Sequence, residues 1–343
     1  MPMSGSAASM KAAIYRRPGD MEITDVSLPE AGADALIAVE YCGICGTDLH
    51  MVLDGWGTPG SIFGHEWSGR IVESGDTGLA SGTLVVGLPS PTCGDCVSCR
   101  AGRPSLCRVR PEAGVAIDRG AFAEYVAVGA ERLITVPAGI EARAAAYTEP
   151  LAVALHAITL SGIEQGQSAL VMGAGPIGAA LIALLASHGI ATTAVEPGPR
   201  RAALAKRLGA RPRAADDLEI TAHPGGTARD AVDVVFETSG ARIAAESGLA
   251  QLSPGGVLVL VGTGMDYPKL DTNRVILNEL RVTGAFNYDD RGFETALDLI
   301  GSGSLPIDEL IADEAVSLDE LLPTMQRLRA GEIPGKTLVR PCD

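Results

Sequence analysis

One stretch limits what this chain can fold into more than any other. From Gln167 to Thr193 there is no Asp, Glu, Lys or Arg, and most residues are apolar. By length alone such a run would span a membrane. The sequence Gly173-Ala-Gly-Pro-Ile-Gly178 interrupts its middle, which predicts a short strand, a tight turn and a buried helix instead. A strand that enters a Gly-x-Gly-x-x-Gly turn and leaves as a helix can cradle a dinucleotide. Gly173 makes the turn, Gly175 lets backbone approach a pyrophosphate, and Gly178 lets the helix pack on the strand. Pro176 belongs to the same turn, ahead of the helix whose free amides and dipole face the phosphates.

A carboxylate about 20 residues on completes that reading. Glu196 follows the strand Ala191–Val195. It can accept both ribose hydroxyls and would repel a 2′-phosphate, so the expected cofactor is NAD rather than NADP. Arg200 and Arg201 are the contrary sign, because arginine accommodates a 2′-phosphate; they begin the next helix and do not replace the acid.

The rest of the chain supports two domains, at roughly 150 residues each. Residues 10–150 alternate as short strands with Gly-rich turns, at Ala35–Val39, Gly69–Glu73, Thr83–Gly87 and Ala123–Val128. After Glu149-Pro150 the pattern changes. Helices are expected at Leu151–Ser161, Gly178–His188 and Arg200–Leu208. Buried strands are expected at Ser168–Met172, Thr192–Val195, Val232–Phe236 and Val257–Val261. Strands alternating with helices mean a parallel sheet covered on both faces. Beyond Asp289 come two helices, Gly292–Ile300 and Ser317–Leu328, and a closing strand, Lys336–Arg340. The expected fold class is α/β, a doubly wound parallel sheet domain beside a mainly β domain.

Charge narrows the partners. The net charge of −15 argues against nucleic acid, which requires a basic face. No membrane association is expected. Met1–Ser9 is small and polar with no apolar leader, so it reads as a loose tail on a cytoplasmic protein.

Four of the seven cysteines crowd one segment: Cys93, Cys96, Cys99 and Cys107. Tetrahedral zinc takes four soft ligands a few ångströms apart, and this spacing delivers them locally. No position is left open, so the expected site is structural. An iron–sulfur cluster is the rival; two disulfides would need an oxidising compartment. Further upstream, Cys45-Gly-Thr47-Asp48-Leu-His50 is followed by Gly64-His65-Glu66. Thiolate, imidazole and carboxylate are the ligand types that hold zinc with one position open. Cys42 and Cys45 taken alone could be a redox pair, and Cys42 reads better as a small buried residue. His156, His188 and His223 read as structural.

Taken together and in this order, these segments and Glu149-Pro150-Leu151 resemble the zinc-containing medium-chain alcohol dehydrogenases. The resemblance runs from about Met10 to Arg340. Glu149 resembles the sorbitol, threonine and butanediol dehydrogenase branch, since the liver-type branch has Cys there. The resemblance implies a GroES-like catalytic domain from residues 1–150 and 288–343 around a Rossmann domain at 151–287. It implies two zinc ions per chain, one structural and one catalytic. Cys45 and His65 resemble the catalytic ligands, with either Glu66 or Glu149 as the third, and Asp48 the carboxylate that orients the histidine. Thr47 resembles the hydroxyl that takes the substrate proton, and His50 the end of a relay through the cofactor ribose. Cofactor contacts are implied at Ile177, Arg201, Val261, Gly262, Thr263, Ala285, Phe286 and Asn287, with Thr238 a weaker candidate. Met51 and Trp56 are candidates for the substrate pocket. The expected activity is hydride transfer from a secondary alcohol, polyol or amino alcohol to NAD, by a homodimer or homotetramer. Two other readings stay open: an NADPH-dependent carbonyl reductase, and a non-catalytic zinc protein that retains the fold.

Overall fold

The computed structural model describes residues 8–109 and 119–342. The first seven residues of the expected loose tail lie outside that range. The chain divides into two compact units: Met1–Glu149 with Ile311–Ala330 and Thr337–Asp343, and Pro150–Leu310 with Gly331–Lys336. No helix among the described residues is long and apolar enough to cross a membrane.

The first unit is built on antiparallel strands. β1 (Ser9–Arg17) and β2 (Asp20–Ser27) form a hairpin, closed by Pro18-Gly19 with Gly19 at φ +73°, a turn only glycine makes without strain. The main sheet contains β3 (Ala35–Gly43), β4 (Glu66–Glu73), β5 (Leu84–Gly87), β6 (Tyr125–Val128), β7 (Leu133–Thr135) and, from the chain end, β14 (Leu338–Val339). Its order is β14-β3-β4-β5-β7, with β6 also paired to β3. β3 is apolar nearly throughout and mostly buried, as a central strand should be. The β3–β4 pairing matters most for function. Its register skips a residue between Val39 and Tyr41 and then runs Cys42 to Trp67 and Gly43 to Glu66. The end of β3 and the start of β4 therefore lie side by side, with Cys45 just beyond one and His65 just before the other.

The second unit is a six-stranded, wholly parallel sheet. β8 (Ser168–Met172), β9 (Ala191–Val195), β10 (Arg211–Arg213), β11 (Val232–Glu237), β12 (Leu252–Leu260) and β13 (Arg281–Gly284) take the order β10-β9-β8-β11-β12-β13. That order reverses direction between β8 and β11, the switch point at which doubly wound sheets bind ligands. Leu170, Met172, Val195, Val235 and Leu258 fill one core of this unit. The uncharged run around Gly173 is divided as expected, into β8, the helix Pro176–Ser187 and β9.

Differences from expectation are local. The helix expected at Ser317–Leu328 is a short 3₁₀ turn, Leu318–Glu320, followed by the helix Leu321–Arg329. Ser317 and Glu320 make a reciprocal cap, and Pro323 sits in the first α-helical turn, where its missing N–H costs nothing. The closing strand shrinks to β14. Residues 288–310 group with the parallel sheet rather than with the β unit. Their contacts explain this: Asp289 faces His156 at 3.2 Å, and Gly292 sits where an added Cβ would lie 3.6 Å from that of Ala152. Trp56, one candidate for a pocket wall, is 45% exposed, whereas Met51 is buried.

Candidate active site and metal centres

Cys45 ends the β3 segment and caps the helix Gly46–Leu53. Its amide donates to Asp48 Oδ2 at 2.8 Å, so the helix start is closed by the acid three residues on. The other oxygen of Asp48 turns toward the neighbouring segment. Oδ1 accepts from the Gly64 amide at 3.3 Å and lies 3.6 Å from His65 Nδ1. Gly64 has φ +92°, and a Cβ there would meet Cys42 Sγ at 2.8 Å and the Phe122 amide at 2.9 Å. Only glycine lets this segment pass so close before it presents His65 and Glu66.

Donor atoms of Cys45, His65 and Glu66 all lie within 4.8 Å of one another. Glu149, although buried, is not in that set. It lies in the first turn of the helix Thr148–Ser161. Burial opposes a charged His65 ring, but the Asp48 carboxylate, with a smaller contribution from Cys45, outweighs it and raises the pKa well above the ordinary histidine value. A thiol, an imidazole and a carboxylate in surroundings that favour positive charge suit a bound cation.

The second group is Cys93, Cys96, Cys99 and Cys107, whose sulfurs also lie within 4.8 Å of one another. Cys107 Sγ is 3.5 Å from Cys93 Sγ, far beyond a disulfide bond. Backbone amides point at the sulfurs: Cys93 N donates to Cys107 Sγ, Cys96 N to Cys93 Sγ and Cys99 N to Cys96 Sγ, at 3.3–3.5 Å. The amide of Cys99 is the main cause that lowers the Cys96 thiol to about 6, and that of Cys93 lowers Cys107. The Asp95 side chain pushes the Cys93 thiol up, and burial raises that of Cys99; the two lowered thiols, Cys96 and Cys107, are the readier metal ligands.

The first unit holds a third array. His50 Nδ1 lies 2.6 Å from Asp54 Oδ2, and its ring stacks on Trp56 at 4.7 Å between centroids. Asp54 in turn meets Arg329. Thr47 is half-buried in the first turn of the same helix.

The second unit shows why each glycine of the turn is needed. Gly173 has φ +98°. A Cβ on Gly178 would lie 2.1 Å from Gly173 O, whereas nothing lies within 4 Å of one on Gly175. The first glycine thus makes the bend and the third allows the close packing. The second faces open space at the start of the helix Pro176–Ser187, which begins with Pro176 and Ile177. Glu196 Oε2 accepts from the Ala174 amide and Oε1 from the Gly198 amide, both at 2.8 Å. Arg201 reaches the carbonyl of Ile333 at 3.3 Å and Arg200 that of Glu332 at 3.1 Å. Thr238 Oγ1 donates to Gly173 O at 2.8 Å, so it braces the turn. The Val261 and Gly262 amides donate to Glu237 O. Thr263 follows them at the carboxyl end of β12. Beyond β13, the Ala285 amide donates to Leu260 O, Phe286 is 39% exposed and Asn287 has φ +54°.

Comparison with known proteins decides the family. Residues 31–138 match the alcohol dehydrogenase GroES-like domain and residues 176–302 the zinc-binding dehydrogenase domain. The chain is 33% identical to 2-dehydro-3-deoxy-L-galactonate 5-dehydrogenase of Pseudoalteromonas atlantica, over 83% of this chain and 84% of that one. It is 34% identical to L-threonine 3-dehydrogenase of a Chelativorans species, over 94% and 96%. A zinc-binding dehydrogenase of Sinorhizobium meliloti, solved bound to NADP, superposes with a TM-score of 0.84 at 32% identity, over 97% of this chain and all of that one. The chain belongs to the zinc-containing medium-chain alcohol dehydrogenase family. It is an oxidoreductase that acts on an alcohol, with zinc and a nicotinamide cofactor.

Several residues with dense hydrogen bonding near these candidate sites were not singled out in the sequence. Glu237, buried at the end of β11, gathers the Ser239 amide and hydroxyl and the Gly240 amide on one oxygen. Burial raises its pKa, partly offset by those donors. A Thr-Ser-Gly turn after a buried strand was the available signal. For Asp54 and Arg329 there was none, since they stand 275 residues apart.

Proposed function

We propose that this dehydrogenase oxidises a secondary alcohol, polyol or amino alcohol with NAD, using one catalytic and one structural zinc. The observation that carries the reading is the convergence of Cys45, His65 and Glu66 beside Asp48. A zinc ion held there would supply Lewis acidity toward an alcohol oxygen, and a nicotinamide would supply the hydride acceptor. Cys45 and His65 serve as two protein ligands, and Glu66 or Glu149 as the third. A thiolate and a neutral imidazole balance half of a divalent charge, and one carboxylate balances the rest. Two carboxylates at once would make the shell anionic and crowd out an alcohol. Asp48, 3.6 Å from His65 Nδ1, would orient the ring from that side, and His65 would then offer Nε2 to the metal. In the reaction the carbon loses a hydride and the oxygen a proton, so an alcohol becomes a carbonyl. Thr47 takes that proton, and His50 passes it toward solvent. The Cys93, Cys96, Cys99 and Cys107 group holds the structural zinc.

NAD is favoured because Glu196 sits beside the glycine turn, tied to Ala174 and Gly198, where its charge opposes a 2′-phosphate. Arg200 and Arg201 are instead engaged with the backbone carbonyls of Glu332 and Ile333. The NADP-bound Sinorhizobium meliloti relative makes NADP the second reading. Other cofactor contacts fall to Gly173, Gly175, Pro176, Ile177, Gly178, Val261, Gly262, Thr263, Ala285, Phe286 and Asn287. The named relatives act on L-threonine and on 2-dehydro-3-deoxy-L-galactonate, which keeps amino alcohols and polyols on the substrate panel. Assembly as a homodimer or homotetramer is part of the same proposal, and light scattering measures it.

The test is reduction of NAD and of NADP, followed by absorbance, over a panel of diols, polyols and β-hydroxy amino acids, together with metal analysis. Two zinc ions per chain and NAD-linked turnover are expected. Glu196→Ala should weaken NAD by about 1.5–3 kcal/mol and NADP far less. A wild-type preference for NADP would overturn the cofactor assignment.

A further inference from the structure

The array around His50 holds two residues that the reaction as written does not use. Asp54 follows the helix Gly46–Leu53 as its C-cap. One carboxylate oxygen faces His50 Nδ1 at 2.6 Å. Arg329, in the last turn of the helix Leu321–Arg329, grips the same carboxylate with both terminal nitrogens, at 2.9 and 2.7 Å. Trp56 covers one face of the imidazole at an interplanar angle of 20°. The His50 and Asp54 side chains are only 14% and 18% exposed, so water screens this contact less than it would an ion pair on the open surface.

These contacts restrict the imidazole in two ways. The stack on Trp56 sets the plane of the ring, and Asp54 fixes its rotation about that plane. The Arg329 hydrogen bonds, outweighing burial, hold the Asp54 carboxyl below its ordinary range. An ionised carboxylate only accepts hydrogen bonds. Nδ1 must therefore carry the hydrogen, and Nε2 is the basic nitrogen of the neutral ring.

We propose that Asp54 and Arg329 are positioning residues that hold His50 in the orientation and tautomer it needs to receive the substrate proton. The proposal rests on the reading of His50 as the proton exit. The step balances simply. An N–H bond forms at Nε2 as a proton arrives, the Asp54 carboxylate faces the resulting imidazolium, and the same proton leaves to water. Arg329 acts through Asp54, keeping the carboxylate ionised and aimed. A fork of two hydrogen bonds does this better than a single point charge.

Steady-state kinetics with zinc and NAD supplied, on an alcohol that wild type turns over, compares His50→Asn, Asp54→Asn, Arg329→Gln and Arg329→Lys. Asp54→Asn and Arg329→Gln should lower kcat by about tenfold with KM little changed, the pattern of a group needed in the reaction rather than in binding. Arg329→Lys, which keeps the charge, should fall between. Imidazole in solution should restore part of the Asp54→Asn rate. A second readout needs no turnover: the ¹⁵N spectrum of histidine-labelled protein should show neutral His50 in the Nδ1–H form in wild type and a mixture in Asp54→Asn. Should Arg329→Gln fail to fold, Asp54→Asn carries both measurements. If His50→Asn is slow while Asp54→Asn keeps the wild-type rate and tautomer, the pair is a structural tie and the proposal is overturned alone. If His50→Asn itself keeps the full rate, the proton-exit reading falls and takes the proposal with it.

Discussion

Two groups of side chains able to hold a metal ion, both in the first unit, assemble by opposite routes. Cys93, Cys96, Cys99 and Cys107 meet within one short segment, and their sulfurs are oriented by backbone amides of that same segment. Cys45 and the His65-Glu66 pair come from two segments that meet only because β3 and β4 pair Gly43 with Glu66. Asp48 then links them, with one oxygen on each side. The local group has four donors of one kind and no variety of roles. The assembled group mixes thiol, imidazole and carboxylate and has a buried acid behind it. The difference teaches that a group of like donors can be written in local spacing, whereas a group of mixed donors borrows the rigidity of a sheet; this is the contrast expected if the first only holds a loop and the second does chemistry.

The sharpest way to break this comparison is to remove one sulfur from each group. Cys45→Ser should lower kcat/KM by about a thousandfold, because Lewis acidity worth several kcal/mol is lost, while the melting temperature moves little. Cys96→Ser should do the reverse. Structural zinc contributes on the order of 10 kcal/mol in small peptides and less in a large domain, so a loss of roughly 5–10 °C in melting temperature is expected, with one zinc missing. Kinetics, calorimetry and metal analysis on both variants check this. Equal effects on stability would erase the distinction between the groups.

A smaller effect sharpens the comparison. Asp48→Asn keeps the size of the side chain but removes the charge that faces His65. Zinc affinity at the catalytic group should fall by about 10–100-fold, measured by competition with a chelator. The four-cysteine group should retain its metal, since its supports are backbone amides that no side-chain substitution removes. Smallest is the expected difference between the two glutamates. In the absence of substrate, Glu66→Gln should weaken zinc binding by about tenfold and Glu149→Gln by less, because Glu66 is the one grouped with Cys45 and His65. Crystal structures with zinc, with and without an alcohol, would show the ligands directly. Both carboxylates bound at once in the alcohol complex would refute a single carboxylate ligand.

What the sequence by itself determined is what a few adjacent residues can complete. The cysteine spacing draws four sulfurs together, and the three glycines at 173, 175 and 178 each do what their places in the motif require. β8, β9 and β11 were legible as apolar runs between turns, since strands buried on both faces need little else. The short edge strands β10 and β13 were not, because Arg211–Arg213 and Arg281–Gly284 are mostly exposed and their pattern is set by a neighbouring strand rather than by their own composition. Tertiary structure alone decided which carboxylate stands with Cys45 and His65, and that residues 288–310 pack with the parallel sheet. It alone joined Asp54 to Arg329. A contact across 275 residues leaves no trace in local spacing, because its geometry comes from the packing of two helices that the chain brings together only after it folds.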